Sequence, residues 1–259
     1  MRIRTLILTL MISLLLVPFA LAQEDTAYEL PALQAGDSVD TSFQDNITTH
    51  LYAFHGSAGD SISITMTQDD PALDPFLILL DAEGAVIAYD DDSGSEVFSA
   101  ALTADLDIDG AYFVLATSFN FVDGAEVETD DELIYTLTID GMTTPADVDD
   151  ADSVTVEFAT LALGEATEGE STDDTPAAFF TFEGAEGDSI VISLQDADFF
   201  TVLHVFNPDG ERIAVDPSLV EIELEDDGIY LILATDPFFY EAIDEGGFFE
   251  GGVFILVIE

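Results

Sequence analysis

The strongest constraint on the fold is a glycine-punctuated strand pattern that occurs twice in the chain. Residues 54–64, FHGSAGDSISI, recur as residues 182–192, FEGAEGDSIVI. In the same order, 84–90 and 109–117 recur as 210–216 and 227–235, and 135–139 matches 253–257 at the same shift as the pair before it. Such a period is longer than the roughly 20–50 residues of solenoid repeats. The sequence therefore predicts two tandem domains, 24–140 and 152–259, joined by a linker at 141–151.

The hydrophobic pattern along both copies is that of strands. Alternation at 61–66, 135–139 and 154–158 predicts strands with one buried face, whereas the continuous apolar runs 76–80 and 253–258 predict strands buried on both sides. Turn signals such as Asp109-Gly110 and Asp227-Gly228 separate the runs. No amphipathic helix is predicted after residue 22. The predicted fold class is all-β, with two tandem antiparallel β-sandwich domains.

The N-terminus has the pattern of a secretory signal peptide at 1–22. A short basic start is followed by an apolar run and by Ala20-Leu21-Ala22, a small-x-small cleavage sequence. The run is short for a membrane span, although an uncleaved anchor is the alternative. We therefore expect a secreted or cell-surface protein with no membrane insertion after cleavage. The chain has no Cys, so each domain must be held by burial or by bound ions rather than by disulfides.

Negative charge dominates the composition. There are 55 Asp and Glu residues against three Lys and Arg, and cleavage of the signal peptide leaves Arg212 as the only basic residue of these two types. Such a surface repels phosphate backbones and anionic lipids, which excludes nucleic acid as a partner. Self-repulsion also favours bound or screening cations. A salt-adapted, soluble surface is the simpler alternative to a dedicated metal site.

Both copies resemble the bacterial pre-peptidase C-terminal (PPC) domain. The resemblance rests on three motifs, better preserved in the first copy: YAFHGSAGDSISI at 52–64, DPFLILLDAEG at 74–84 with IAYDDD at 87–92, and DGAYFVLA at 109–116. It implies a jelly-roll-like sandwich of the kind appended to secreted peptidases, with roles in secretion, surface attachment or substrate binding, and related collagenase domains bind collagen and Ca²⁺. No peptidase domain accompanies these two copies, so a direct role in proteolysis is not expected.

Catalytic motifs are absent from the sequence. It contains no Gly-x-Ser-x-Gly elbow and no His-Glu-x-x-His motif, and its three histidines, His50, His55 and His204, are interpreted as structural. Paired carboxylates of a glycan hydrolase remain an alternative, because so many acids place some pair close together. We expect a non-catalytic protein.

An acidic loop in the first copy is the candidate metal site. Asp90, Asp91 and Asp92 are consecutive, and Asp74 begins the strand expected to pair nearby. Ca²⁺ prefers six to eight oxygen ligands, and consecutive carboxylates repel one another unless a cation or water intervenes. The sequence predicts calcium at this loop, with a solvated turn as the alternative.

Aromatic residues mark the connection before the last strand of each copy: Phe119 and Phe121 in the first, and Phe238, Phe239 and Tyr240 in the second. Exposed aromatics beside acids predict a binding face for an extracellular or envelope protein or glycan. The alternative is that they cover the open end of each core. The function predicted overall is a secreted, non-catalytic binding or surface-associated protein, with the hydrolase or a salt-adapted envelope component as alternatives.

Overall fold

The computed structural model describes residues 25–43, 49–69, 72–95, 99–119, 132–145, 148, 151–195, 201–236 and 252–259. The predicted signal peptide lies outside these ranges. Within them every regular element is a strand: β1 Asp25–Pro31, β2 Ser38–Phe43, β3 Thr49–Gly56, β4 Ser61–Gln68, β5 Pro75–Asp81, β6 Val86–Asp90, β7 Ala100–Asp105, β8 Gly110–Ser118, β9 Leu133–Asp140, β10 Ser153–Thr160, β11 Ala166–Ser171, β12 Ala177–Gly184, β13 Ser189–Gln195, β14 Val202–Phe206, β15 Arg212–Asp216, β16 Leu219–Glu223, β17 Gly228–Thr235 and β18 Gly252–Ile258. The all-β prediction is confirmed. Among the described residues, no helix has the length and hydropathy to cross a membrane.

Four sheets are stacked in a sandwich-like arrangement with three hydrophobic cores between them. In the first half an outer sheet, β2-β9-β4-β7, faces an inner sheet, β3-β8-β5-β6. In the second half the outer sheet β11-β18-β13-β16 faces an inner sheet of order β1-β10-β12-β17-β14-β15. The two inner sheets pack against each other through a third core, which contains Phe76 and Ile78 from the first half and Phe179 and Leu231 from the second.

The first strand joins the two halves. Although β1 falls within the range predicted for the first domain, it pairs antiparallel with β10 over its whole length, including Tyr28 opposite Val156. Its tyrosine and Leu30 lie in the core between the inner sheets. The sequence did not predict the pairing of β1 with β10. The alternation of polar and apolar residues shows which face of a strand is buried, but not which strand it pairs with.

The described residues at the two ends of the predicted linker contact the first half. Met142 is buried in the first core, and both the amide and the hydroxyl of Thr143 donate hydrogen bonds to the carboxylate of Asp60. Farther along, the side chain of Gln34 donates to the carbonyl of Ala151, 2.5 Å away. Residues at both ends of the 141–151 segment are therefore held by the first half.

The repeated sequence motifs make the same contacts in both halves. Tyr112 stacks on Phe54 and donates to the carbonyl of Ile108, four residues upstream, over 2.9 Å. Tyr230 stacks on Phe182 and donates to the carbonyl of Asp226 over 2.8 Å. A tyrosine that bonds back to a nearby backbone carbonyl is a recurrent corner of β-sandwiches, which explains why the aromatic follows Asp-Gly in each copy.

Two sequence-based interpretations of the last strand are wrong. The amide of Gly36 donates a hydrogen bond to the carbonyl of Ile139, and the amide of the equivalent Gly164 donates to the carbonyl of Ile258. Ile139 therefore corresponds to Ile258, one residue later than the sequence match of β9 with β18 suggested. A one-residue shift exchanges the two faces of a strand. In addition, β18 is not buried on both sides, because it lies in an outer sheet and Val253 is 37% exposed.

Candidate functional site

Three chain segments meet at one end of the first inner sheet. Pro75, the first residue of β5, pairs with Ser118 at the end of β8, and Leu77 pairs with Asp90 at the end of β6. The segment before β5 and the segments after β6 and β8 must therefore lie together. The amide of Phe119 donates to the carbonyl of Asp74 over 2.8 Å. The candidate acid and the candidate aromatic, predicted separately, are thus neighbours.

The acids at this end act on one another. Asp74 is partly buried, and partial burial raises the pKa of its carboxyl group, with further increases from the nearby carboxylates of Asp92 and Asp91. Like charges disfavour ionisation of a neighbouring acid, and a bound cation would offset that repulsion. This end of the sheet is therefore a place where negative charge is concentrated at an energetic cost.

Asp90 has a structural role in the same loop. Its Oδ2 accepts hydrogen bonds from the amide of Ser93 at 3.0 Å and from the amide of Ala101 at 2.6 Å. These bonds close the loop between β6 and β7. A cation at this loop would have to share the carboxylate of Asp90 with the backbone.

The second half retains the structural acid but not the other two. Asp216, the counterpart of Asp90, accepts hydrogen bonds from the amides of Ser218 and Leu219. Pro217 and Ser218 stand where the first half has Asp91 and Asp92, and β16 begins directly afterwards. The acidic loop is a feature of the first half.

The donor chemistry fits a hard cation, since carboxylate oxygens are the ligands that Ca²⁺ prefers. However, within the ranges that the structure describes, no group of three or more His, Asp or Glu side chains is placed to hold a metal ion. Calcium at Asp74, Asp90, Asp91 and Asp92 therefore stays a prediction that requires these side chains to converge on the ion.

Phe119 connects this end of the sheet to the core between the halves. Its side chain is 37% exposed, and its ring meets that of Phe76 edge to face at 5.7 Å between centroids. Phe76 also contacts Tyr89. An exposed ring fixed on a buried one can contact a ligand with little loss of conformational entropy. The other predicted aromatics, Phe121, Phe238, Phe239 and Tyr240, lie outside the described residues.

His50 belongs to a buried polar cluster that the sequence reading missed. It lies inside β3, not before it, is 7% exposed, and places Nδ1 2.5 Å from the hydroxyl of Tyr135, which lies 2.8 Å from that of Tyr52. Burial lowers the pKa of His50 to about 4 and raises the pKa of Tyr52 to about 12. All three groups are thus neutral near pH 7.

The equivalent cluster of the second half is apolar. The repeat aligns His50, Tyr52 and Tyr135 with Ala178, Phe180 and Phe254, and the two phenylalanines meet edge to face. A position-by-position comparison of the two copies, with the last strand in its correct register, would have singled out the polar cluster from the sequence.

The other histidines also have structural partners. Nε2 of His55 lies 2.8 Å from the carbonyl oxygen of Ser153, and Arg212 donates to Nδ1 of His204 over 3.2 Å. Burial, and then the charge of Arg212, lower the pKa of His204 well below its ordinary value. Burial lowers the pKa of Arg212 itself to about 10. Each of these two histidines is thus held by a hydrogen bond within the fold.

Part of the chain is similar in sequence to part of a larger known protein. No protein-family profile matches the chain. A probable subtilase-type serine protease of Deinococcus radiodurans is 36% identical over 75 residues, which cover 28% of this chain and 10% of the relative. The chain therefore spans about a tenth of the length of the curated relative that it matches.

Two solved structures are also similar to parts of the chain. The pre-peptidase C-terminal domain of a Bacillus anthracis collagenase matches with 12% identity over 42% of this chain and 93% of that domain, at a TM-score of 0.34. A structure of the M60 catalytic domain with two CBM51 domains from Clostridium perfringens ZmpB matches with 13% identity over 86% of this chain and 34% of that one, at a TM-score of 0.24.

Proposed function

We propose that this chain is a secreted, non-catalytic binding protein built from two PPC-like sandwich domains. Its ligand-binding end is formed by Asp74, the loop of Asp90–Asp92 and Phe119. The observation that carries the proposal is the junction of these groups: Phe119 is hydrogen-bonded to the backbone of Asp74, whose carboxyl pKa is raised by its burial and by Asp92 and Asp91. Crowded carboxylates beside an exposed ring suit a cation and an extracellular protein or glycan.

Calcium is the cation we propose for this end. Its flexible coordination tolerates a loop ligand set, whereas Mg²⁺ demands a near-ideal octahedron and dehydrates reluctantly. Asp74, Asp91 and Asp92 would supply the carboxylates, with Asp90 shared between ion and backbone. The bound ion would cancel the mutual repulsion of the acids and hold the loop beside Phe119.

The setting we propose is outside the cell. The signal-peptide pattern supports export, and the local similarity to a probable subtilase-type serine protease supports a role beside a protease of that type. The ligand would then be an envelope or extracellular component.

Isothermal titration calorimetry with CaCl₂ and with MgCl₂ in constant salt tests the calcium proposal. We expect heat with Ca²⁺ that is lost in the Asp74→Asn/Asp92→Asn double variant. The matched control is Asp173→Asn/Asp174→Asn, which removes the same charge from an exposed turn of the second half. Equal Ca²⁺ heats in both double variants, or stabilisation by NaCl as large as by CaCl₂, would contradict a specific site and favour the salt-adapted surface.

A carboxylate-based glycan hydrolase is the second candidate, because Asp74 has a raised pKa beside two further acids. Such an enzyme needs one protonated acid and one ionised partner across the scissile bond. Asp92, which would have to serve as the ionised partner of Asp74, is exposed, and an exposed carboxylate suits cation or ligand binding. Hydrolysis of a glycan that disappears in Asp74→Asn but not in Asp173→Asn would favour the enzyme.

A further inference from the structure

The outer face of the second half carries aliphatic side chains where a solvated sheet face is normally polar. On β18, Phe254, Leu256 and Ile258 point into the core, so the alternate residues Val253, Ile255 and Val257 point outward. Val253 is 37% exposed and the other two are partly exposed. The strand presents three branched aliphatic side chains in a row on the surface.

The neighbouring strands add two aliphatic side chains to this face, on which the polar Ser193 and Gln195 of β13 also lie. Val191 of β13 is partly exposed on the same face, and Leu219 of β16 is 42% exposed. Ser193 pairs with Val257 on one side and with Leu219 on the other, which aligns the three strands across the sheet. We call these five side chains the aliphatic strip: Val191, Leu219, Val253, Ile255 and Val257.

The two edge strands surround the strip with carboxylates. Glu168 and Glu170 of β11 pair with Ile255 and Val253, and are exposed. On the opposite edge, Glu221 of β16 pairs with Val191, and Glu223 follows two residues later on the same face. The result is an aliphatic row on β18, beside the mixed polar and apolar strand β13, between two acidic borders.

The equivalent face of the first half keeps one exposed aliphatic side chain, Ile134 at the position of Val253, and differs at the other two positions of the row. In the corrected register Ile255 and Val257 correspond to Thr136 and Thr138 of β9. Thr136 donates to Asp40 over 2.8 Å, and the hydroxyls of Thr138 and Thr65 lie 2.5 Å apart. The same fold position is thus satisfied with hydrogen-bonding hydroxyls in one half and aliphatic groups in the other, so the aliphatic choice is not required by the sandwich itself.

We infer that the aliphatic strip is a docking surface for a cationic protein segment, one with aliphatic side chains flanked by lysine or arginine. The aliphatic strip supplies apolar area whose burial is favourable. The glutamates favour a partner with positive charge at the edges of its contact surface. A second copy of this chain is a poor occupant, because its own face has the same acidic borders and its net charge is −52. This inference does not depend on the Asp74 site, which belongs to the other half.

Fluorescence anisotropy with a labelled synthetic peptide tests the inference. The probe has a valine-rich centre with two lysines at each end, and is measured at 0.5 M NaCl to suppress general attraction to the acidic surface. Ile255→Thr/Val257→Thr places the first half's own residues on β18. We expect roughly tenfold weaker binding, because the variant places hydroxyl groups where the peptide would bury aliphatic ones. Threonine keeps strand propensity, so the melting temperature serves as the control for folding.

The reciprocal variant is the matched control. Thr136→Ile/Thr138→Val in the first half, combined with the β18 change, should restore part of the binding on the opposite face.

Four outcomes would overturn the inference. They are no peptide binding to the unmodified chain, equal binding to the β18 variant, equal binding of a peptide with glutamate in place of lysine, and self-association in sedimentation that the β18 variant abolishes.

Discussion

The strands β5 and β18 have similar sequences and different environments. Both are nearly continuous apolar runs, yet β5 is buried on both faces while β18 is buried on one. The difference is the sheet to which each belongs: β5 lies in an inner sheet, with Leu77 and Leu79 in the first core and Ile78 in the core between the halves. A continuous apolar run therefore indicates a strand with two apolar faces, and the layer order decides whether the second is covered.

The largest effect expected from this comparison is on the free energy of unfolding. Ile78→Ala should cost about 2–5 kcal/mol, because it leaves a cavity between the two halves. Ile255→Ala, the same change on the outer face of β18, should cost less than about 1 kcal/mol. Urea unfolding of both variants at one salt concentration measures the difference. Similar costs would mean that the second face of β18 is covered or that the inner sheets do not depend on each other.

Acid should destabilise the inner sheet of the first half through His50. Burial lowers its pKa to about 4 from an unfolded value of 6.5, so the unfolded chain takes up the proton first. The stability supplied by the neutral imidazole is complete above pH 6.5 and is lost as the pH falls to about 4, by about 3 kcal/mol. The difference between the unmodified chain and His50→Gln across this window isolates the contribution.

The matched control for that experiment is His55→Gln, which removes an imidazole from outside the buried cluster. A His50→Gln variant that follows the unmodified chain at every pH would show that the His50–Tyr135 contact does not persist in solution.

Alanine substitution should be tolerated differently at two turn glycines, with a smaller effect on the free energy of unfolding than Ile78→Ala has. Gly59 and Gly84 have φ of 92° and 91°, so alanine at either costs about 1 kcal/mol of backbone strain. A Cβ at Gly59 meets nothing within 4 Å, whereas at Gly84 it would lie 1.8 Å from the carbonyl oxygen of Ala177 in the second half. We expect Gly84→Ala to cost about 2 kcal/mol more than Gly59→Ala by urea unfolding. Equal costs would place the two halves farther apart.

The smallest expected effect, the loss of a tyrosine hydroxyl, should be similar in the two halves. Tyr112→Phe and Tyr230→Phe each remove one hydrogen bond to a backbone carbonyl and keep the stacked ring. Tyr230→Phe also removes the long hydrogen bond, 3.3 Å, that its hydroxyl accepts from the amide of Asp226. Each variant should cost about 1 kcal/mol. Thermal unfolding of the two variants measures this. A large loss in only one of them would show that the shared Asp-Gly-x-Tyr motif does different work in the two halves.

Prediction from sequence succeeded where a pattern is local. The Gly-Asp turns, the alternating strands and the tyrosines after Asp-Gly were recognisable because each depends on residues a few positions apart. The proximity of Asp74 to the 90–92 loop also followed from expected strand pairing. The contact between Phe119 and Asp74 could not be predicted, because it depends on the register between β5 and β8, which no local pattern specifies.

By itself, the sequence determined an all-β chain with a repeated strand set, a strongly negative surface and no disulfides. Only the tertiary structure decided that the inner faces of the two halves form a common core, that β1 pairs with β10, and that β18 presents its second face to solvent. The physical reason is that side-chain alternation fixes which residues share a face, whereas the partner of that face is chosen by long-range packing.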